Sequence, residues 1–164
     1  MIRFTPPVGL KKMKYDGAAI QRMEFQDLGE ILSIEVASSL TPWSLDMFIE
    51  EMKNPIAYCF VLKHGKGAES LVIGFICFRN VREESELLNI AVHPQYRRLG
   101  YGKKLMQFYL QFCYPLGIKT FYLEVNPSNQ AALRLYQNLS YESFGRREKF
   151  YQGKFDALLL RKKV

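Results

Sequence analysis

Apolar positions recur along this chain with two alternating spacings, one fitting strands and one fitting helices. Residues 18–23 read as a first strand. Asp27 stands where it can cap a helix carrying Leu28, Ile31, Leu32, Ile34, Glu35 and Val36, and residues 38–42 break that helix. Ser44 then caps a second helix with Phe48, Ile49 and Met52 in a stripe, which Asn54-Pro55 ends. Residues 56–62 and 71–78 are strand-like and separated by His64-Gly65-Lys66-Gly67, which predicts a hairpin. The Glu83-Glu84 turn leads from it into an apolar run at residues 87–92, continuing the antiparallel series.

The spacing then changes to helical, with Leu105, Phe108, Tyr109 and Phe112 on one face, until Tyr114-Pro115 and Gly117 stop it. A strand at residues 119–125 follows, and the intervening helix predicts that it pairs parallel to the strand before. Asn126-Pro127-Ser128 caps a helix over residues 129–139, and strands at 143–151 and 155–161 meet at Gln152-Gly153-Lys154. The order β-α-α-β-β-β-α-β-α-β-β predicts an α/β (mixed α+β) fold, with about seven strands in a mixed, mostly antiparallel sheet and helices on both faces. Residues 1–17, with Thr5-Pro6-Pro7 and Lys11, Lys12 and Lys14, are set apart as a basic N-terminal extension. Residues 18–164 form a single domain in this reading.

Composition agrees with a folded chain: of 164 residues 48% are hydrophobic and 14% aromatic, which excludes disorder. The net charge of +7 points to an acidic partner, although part of it sits at the two ends. Cys59, Cys77 and Cys113 are odd in number and set among apolar residues, as reduced buried thiols are. His64 and His93 have no metal-ligand spacing, so no metal is expected. With no apolar run of membrane-spanning length and no leader-like start, the chain reads as soluble and cytoplasmic.

Candidate chemistry concentrates between the third hairpin strand and the helix after it. A helix start presents backbone N–H groups without intrahelical partners, which suit a phosphate. Gly100 and Gly102 clear side chains from that backbone, while Arg97, Arg98, Lys103 and Lys104 crowd an end where cations are ordinarily unfavourable. A bound polyanion resolves that conflict. The spacing is neither a Walker A loop nor a dinucleotide fingerprint.

Arg97-Arg98-Leu99-Gly100-Tyr101-Gly102 resembles the Arg/Gln-x-x-Gly-x-Gly/Ala loop of the GNAT N-acyltransferases, preceded by a strand with Ile90 and Val92. Residues 122–136 (YLEVNPSNQAALRLY) are similar to the LEV-x-x-SN-x-x-A-x-x-LY run of the RimI-type ribosomal-protein-alanine N-acetyltransferases. Thr41-Pro42-Trp43-Ser44, Gly145-Arg146-Arg147 and Phe150-Tyr151 resemble further elements of that subgroup. Asn126-Pro127, Phe150 and the last turn differ from its pattern.

The resemblance implies an acetyl-CoA-dependent enzyme that transfers acetyl directly to a protein N-terminal α-amine, with a ribosomal protein as the specific acceptor. It implies that acetyl-CoA is held by Ile90, Val92, Arg97, Arg98, Leu99, Gly100, Tyr101, Gly102, Lys103 and Asn129. Glu124, at a strand end beside the loop, is the candidate base, because an α-amine is only partly neutral at pH 7. Tyr136 is the candidate acid for the departing thiolate, and it shares a helix face with Asn129 seven residues earlier. Trp43 and Tyr151 line the acceptor groove in this reading, and Glu35 helps bind or deprotonate the amine. The same chemistry serves a small amine or a lysine ε-amine, and a module that binds CoA or RNA without catalysis is the reading from another class. No direct nucleic-acid recognition motif is evident.

Overall fold

Strands whose residues alternate between two apolar faces form the middle of one sheet. β3 (Ala57–His64) sends Phe60 and Leu62 to one core and Cys59 and Val61 to another, and β4 (Leu71–Val81) divides Ile76 and Phe78 from Phe75 and Cys77 in the same way. Both faces are buried, which is why these segments read as nearly unbroken apolar runs. The computed structural model describes residues 14–15, 17–151, 153 and 155–164, without the side chains of Lys14, Tyr15, Phe150 and Tyr151.

The remaining elements are β1 (Lys14–Tyr15), β2 (Ala18–Arg22), α1 (Leu28–Ser38), α2 (Leu45–Lys53), β5 (Glu84–Val92), α3 (Tyr101–Cys113), β6 (Thr120–Val125), α4 (Gln130–Asn138), β7 (Glu142–Tyr151) and β8 (Phe155–Lys163). From β2 onward this is the order expected from the sequence. The sheet runs β1-β2-β3-β4-β5-β6-β8-β7, and every neighbouring pair is antiparallel except β5 with β6. The two residues of β1 pair with Ala18 and Ala19, so the sheet reaches into the end of the stretch set apart as an extension. Residues 1–13 lie outside the described residues.

Helices cover the sheet on both sides. Leu28, Ile31 and Ile34 of α1 and Phe48 of α2 pack on Val61, Phe75, Cys77 and Ala91. On the other face α3 buries Leu105, Met106, Phe108, Tyr109, Leu110, Phe112 and Cys113, and α4 adds Tyr136. Each such side chain contributes about 1.5–3 kcal/mol by leaving water, so α3 is fixed firmly and the loop at its start is held with it. Two helix starts differ from expectation. Asp27 is buried at the α1 start without capping it; its carboxylate accepts from the backbone N–H of Glu24 and pairs with Lys63. The cap of α4 is Asn129, whose Oδ1 accepts from the Ala132 N–H at 3.1 Å, while Asn126 bonds to Ser128 one turn earlier. Ser44 caps α2 as its position suggested.

Candidate functional site

β5 and β6 are partners for only part of their length. Residues 84–87 pair with residues 120–123, and there the ladder stops. Leu88 is an extra residue on β5, since Leu87 faces Phe78 and Asn89 faces Cys77, and such a bulge bends and twists its strand. Beyond it, β5 is paired through β4 and the end of β6 through β8, so the strand edges facing each other across the gap carry backbone groups available to a ligand. A cavity of about 780 Å³ opens at this gap, lined by Glu35, Trp43, Ile90, Glu124, Asn129 and Tyr136 among others.

At the end of β5 the chain turns into α3. Gly100 takes a left-handed conformation (φ 84°), and a Cβ built there would meet nothing within 4 Å, so the helix start faces open space. The first intrahelical bond runs from the Lys104 N–H to the Gly100 carbonyl at 3.1 Å, which leaves the N–H groups just before it as outward donors. The first turn of α3 holds no acidic residue, and Arg98, Leu99 and Lys103 are exposed around it. This cradle fits a diphosphate.

The side chains of the loop divide their work. Arg97 turns back, donating from Nε to the Val92 carbonyl at 3.0 Å and from Nη2 to Ser38 Oγ at 2.8 Å, and so ties the loop to β5 and to the end of α1. Tyr101 is buried in the core and Gly102 is an ordinary helical residue beside Leu135. These two can offer backbone, not side chain, to a ligand.

Glu124 sits at an intermediate position of β6, between Leu123 and Val125, which pack into the α3/α4 core. Strand alternation therefore aims its carboxylate to the α1/α2 side. Arg147 of β7 pairs with it at 2.9 Å. Burial pushes the carboxyl above its ordinary value; Arg147 pulls it down and Glu86 of β5 pushes it up. Tyr136 belongs to the opposite, α3/α4 side of the sheet and is 5% exposed. The gap between the strands thus joins two faces, with a carboxylate on one and a phenol on the other. A proton can be accepted at one wall and donated at the other.

The α1/α2 side is closed by Glu35, which is 1% exposed. Its Oε1 accepts from the Trp43 N–H and from Asn89 Nδ2, each at 3.0 Å, so one carboxyl joins the α1–α2 loop to the bulged part of β5. Its Oε2 is buried without a hydrogen-bond partner, and burial pushes its pKa up. Trp43 packs against Phe48 with ring centroids 5.1 Å apart and also lines the cavity. The side chain of Tyr151 lies outside the described residues. Sequence reasoning had no role for Asn89, Glu86 or Arg147 individually; only the Arg146-Arg147 motif drew notice to the last. Among the described residues no group of side chains could hold a metal ion, and no helix is long and apolar enough to cross a membrane.

Comparison with known proteins agrees with this geometry. Residues 21–141 match the model of the acetyltransferase (GNAT) family. A ribosomal protein bS18-alanine N-acetyltransferase of Escherichia coli (strain K12) is 31% identical over 144 residues, covering 86% of this chain and 94% of that one. The crystal structure of the ribosomal-protein-S18-alanine N-acetyltransferase from Escherichia coli superposes with a TM-score of 0.79 at 29% identity, covering 90% of this chain and 94% of that one. The fold is also that of a chain in the NatC complex bound to Gag peptide and CoA, with a TM-score of 0.78 at 21% identity, covering 90% of this chain and 98% of that one. The chain belongs to the acetyltransferase (GNAT) family and is an acetyl-CoA-dependent N-acetyltransferase.

Proposed function

We propose that the protein acetylates the N-terminal α-amine of another protein, with the alanine terminus of ribosomal protein bS18 as the specific acceptor, and that it does so in the cytoplasm. The observation that carries this reading is the cavity at the β5–β6 gap, with Glu124 and Tyr136 together among its lining residues. Similarity to the bS18-alanine enzyme of Escherichia coli over most of both chains supports the acceptor.

Acetyl-CoA supplies the acetyl group as an activated thioester. The open N–H groups at the start of α3, with Arg98 and Lys103 beside them, would hold its phosphates; the edge of β5 at Ile90 and Val92, where β6 no longer pairs, and the Asn129 side chain would hold its extended arm. Backbone N–H groups on the edge of β5 that β6 leaves unpaired would stabilise the charge that develops on the thioester oxygen, an effect commonly worth a few kcal/mol of barrier. Glu124 takes the proton from the acceptor amine through a water, and its raised pKa matches it better to an amine than an ordinary carboxylate would be. Tyr136 gives its hydroxyl proton to the departing sulfur. Trp43 and Glu35 border the acceptor.

The test is thiol release from acetyl-CoA with short peptides beginning in alanine, against the same peptides with a blocked terminus. Turnover requires the free terminus, and Glu124→Gln lowers kcat by about 10²-fold or more. Turnover of blocked, lysine-containing peptides or of free polyamines at the same rate overturns the assignment.

A further inference from the structure

Arg147 stands where two cavities meet. The larger one opens at the β5–β6 gap; the second, of about 490 Å³, lies on the α1/α2 side and is lined by Glu84, Glu86, Tyr122 and Phe144. Glu86, Glu124 and Arg147 line both. The charged and titratable groups that share these cavities with Glu124 are Glu84 and Glu86 from β5, Arg79 from β4, Tyr122 from β6, Arg147 from β7, Glu35 from α1 and, across the gap, Tyr136 from α4. In the larger cavity, among the described residues, Arg147 is the one cation beside the three carboxylates Glu35, Glu86 and Glu124, while Arg79 of the second cavity is paired with Glu51.

The position of Arg147 is built. The β7–β8 register jumps from Arg147↔Ala157 to Tyr151↔Phe155, so three residues of β7 face one of β8. Lys149 takes a left-handed conformation (φ 50°) inside that bulge. Asp156, the single residue opposite, accepts from Arg146 Nη1 at 2.9 Å and from the Lys149 N–H at 3.0 Å. The chain is thus pinned on both flanks of Arg147, whose guanidinium meets Glu124 at 2.9 Å.

An amine arriving as an ammonium ion seeks a carboxylate, and Glu124 with Glu86 would supply one. Arg147 already occupies Glu124 and repels a second cation. We propose that Arg147 is a specificity-determining residue: it denies an acceptor ammonium its counter-ion, so the site takes amines that are substantially neutral in solution and rejects strongly basic ones. At pH 7 about one α-amine in eight is neutral, against about one lysine ε-amine in 2,500. The site therefore selects a protein N-terminus over a lysine side chain or a polyamine by basicity as well as by shape. This selectivity rests on the α-amine reading above.

The test compares wild type, Arg147→Gln and Arg147→Lys at pH 7, using an alanine-leading peptide and an N-blocked peptide carrying one lysine. Because the pair is partly exposed, Arg147→Gln is expected to raise the ratio of kcat/KM for the lysine peptide over the N-terminal peptide by about five-fold, and Arg147→Lys to bring it back. Titration of spermidine into each variant with CoA present gives a readout that needs no turnover, and Arg147→Gln is expected to bind it about five-fold more tightly. An unchanged ratio and unchanged spermidine affinity in Arg147→Gln overturn the role of Arg147 while leaving the α-amine reading intact. A wild-type enzyme that acetylates both peptides equally overturns the α-amine reading, and the selectivity with it.

Discussion

The two sides of the β5–β6 gap are made differently. The side proposed for the cofactor is local: residues 97–104 form a loop and first helical turn that presents backbone N–H donors, and α4 packs beside it. The side proposed for the acceptor is assembled from distant parts of the chain. Glu35 reaches Asn89 across 54 positions, and Arg147 comes from a strand bulge to meet Glu124. A surface of backbone groups fixed by glycine and a helix start tolerates side-chain change nearby, whereas one held by single carboxyl contacts does not. Substitutions on the two sides should therefore separate cofactor binding from acceptor selection.

The largest separation is expected between the acid and the loop. Tyr136→Phe removes only a hydroxyl from a buried ring, so it should lower kcat by about 10²- to 10⁴-fold and leave acetyl-CoA affinity nearly unchanged. Gly100→Val should do the reverse. A β-branched residue at φ 84° is strained by about 1–2 kcal/mol, and its side chain enters the open space at the helix start, so acetyl-CoA binding should weaken about ten-fold or more. Calorimetric titration of acetyl-CoA with single-turnover kinetics on both variants checks this, and equal losses of binding and rate in the two would erase the distinction between the sides.

The same contrast decides what could be read from the sequence. The Gly100 loop, the buried face of α3 and the parallel pairing of β5 with β6 were all legible, because each follows from spacing within one segment or from a connection rule. Glu124 and Tyr136 were singled out through resemblance; both line the cavity at the gap, and alternation along β6 explains where Glu124 points. The bulges were not. Leu87, Leu88 and Ile90 look like one continuous apolar strand, and the extra residue shows only against the register of β4. The pairing of Arg147 with Glu124 depends on a second bulge pinned by Asp156, which no period reveals. Arg97 was placed with the phosphate-binding cations, yet its side chain ties the loop to Val92 and Ser38, a contact across 59 positions. Asp27 looked like a cap by position and is instead the buried partner of Lys63.

The smallest expected effect is also the one that isolates the acceptor side from chemistry. Glu35 joins Trp43 to Asn89 through Oε1, while Oε2 is buried without a partner, and burial holds its pKa above the ordinary value near 4.5. A raised carboxyl binds its proton more tightly in the folded chain than in the unfolded one. Its stabilising share is therefore fully present below the unfolded value and is lost as pH rises through the folded one. Glu35→Gln keeps the oxygen acceptor and removes the titration. Compared by urea unfolding at a series of pH values, wild type should lose stability relative to Glu35→Gln as pH climbs from below 4.5, then run parallel to it. At neutral pH the variant should bind acetyl-CoA as wild type does, because Glu35 lies on the α1/α2 side, and its KM for an alanine-leading peptide should stay within about two-fold of wild type, because the amide oxygen takes the Trp43 and Asn89 bonds that Oε1 accepts. A stability difference that does not vary with pH would mean that Glu35 is ionised as readily as an exposed carboxylate, and the loop would then be held by an ion's hydrogen bonds rather than by a buried acid.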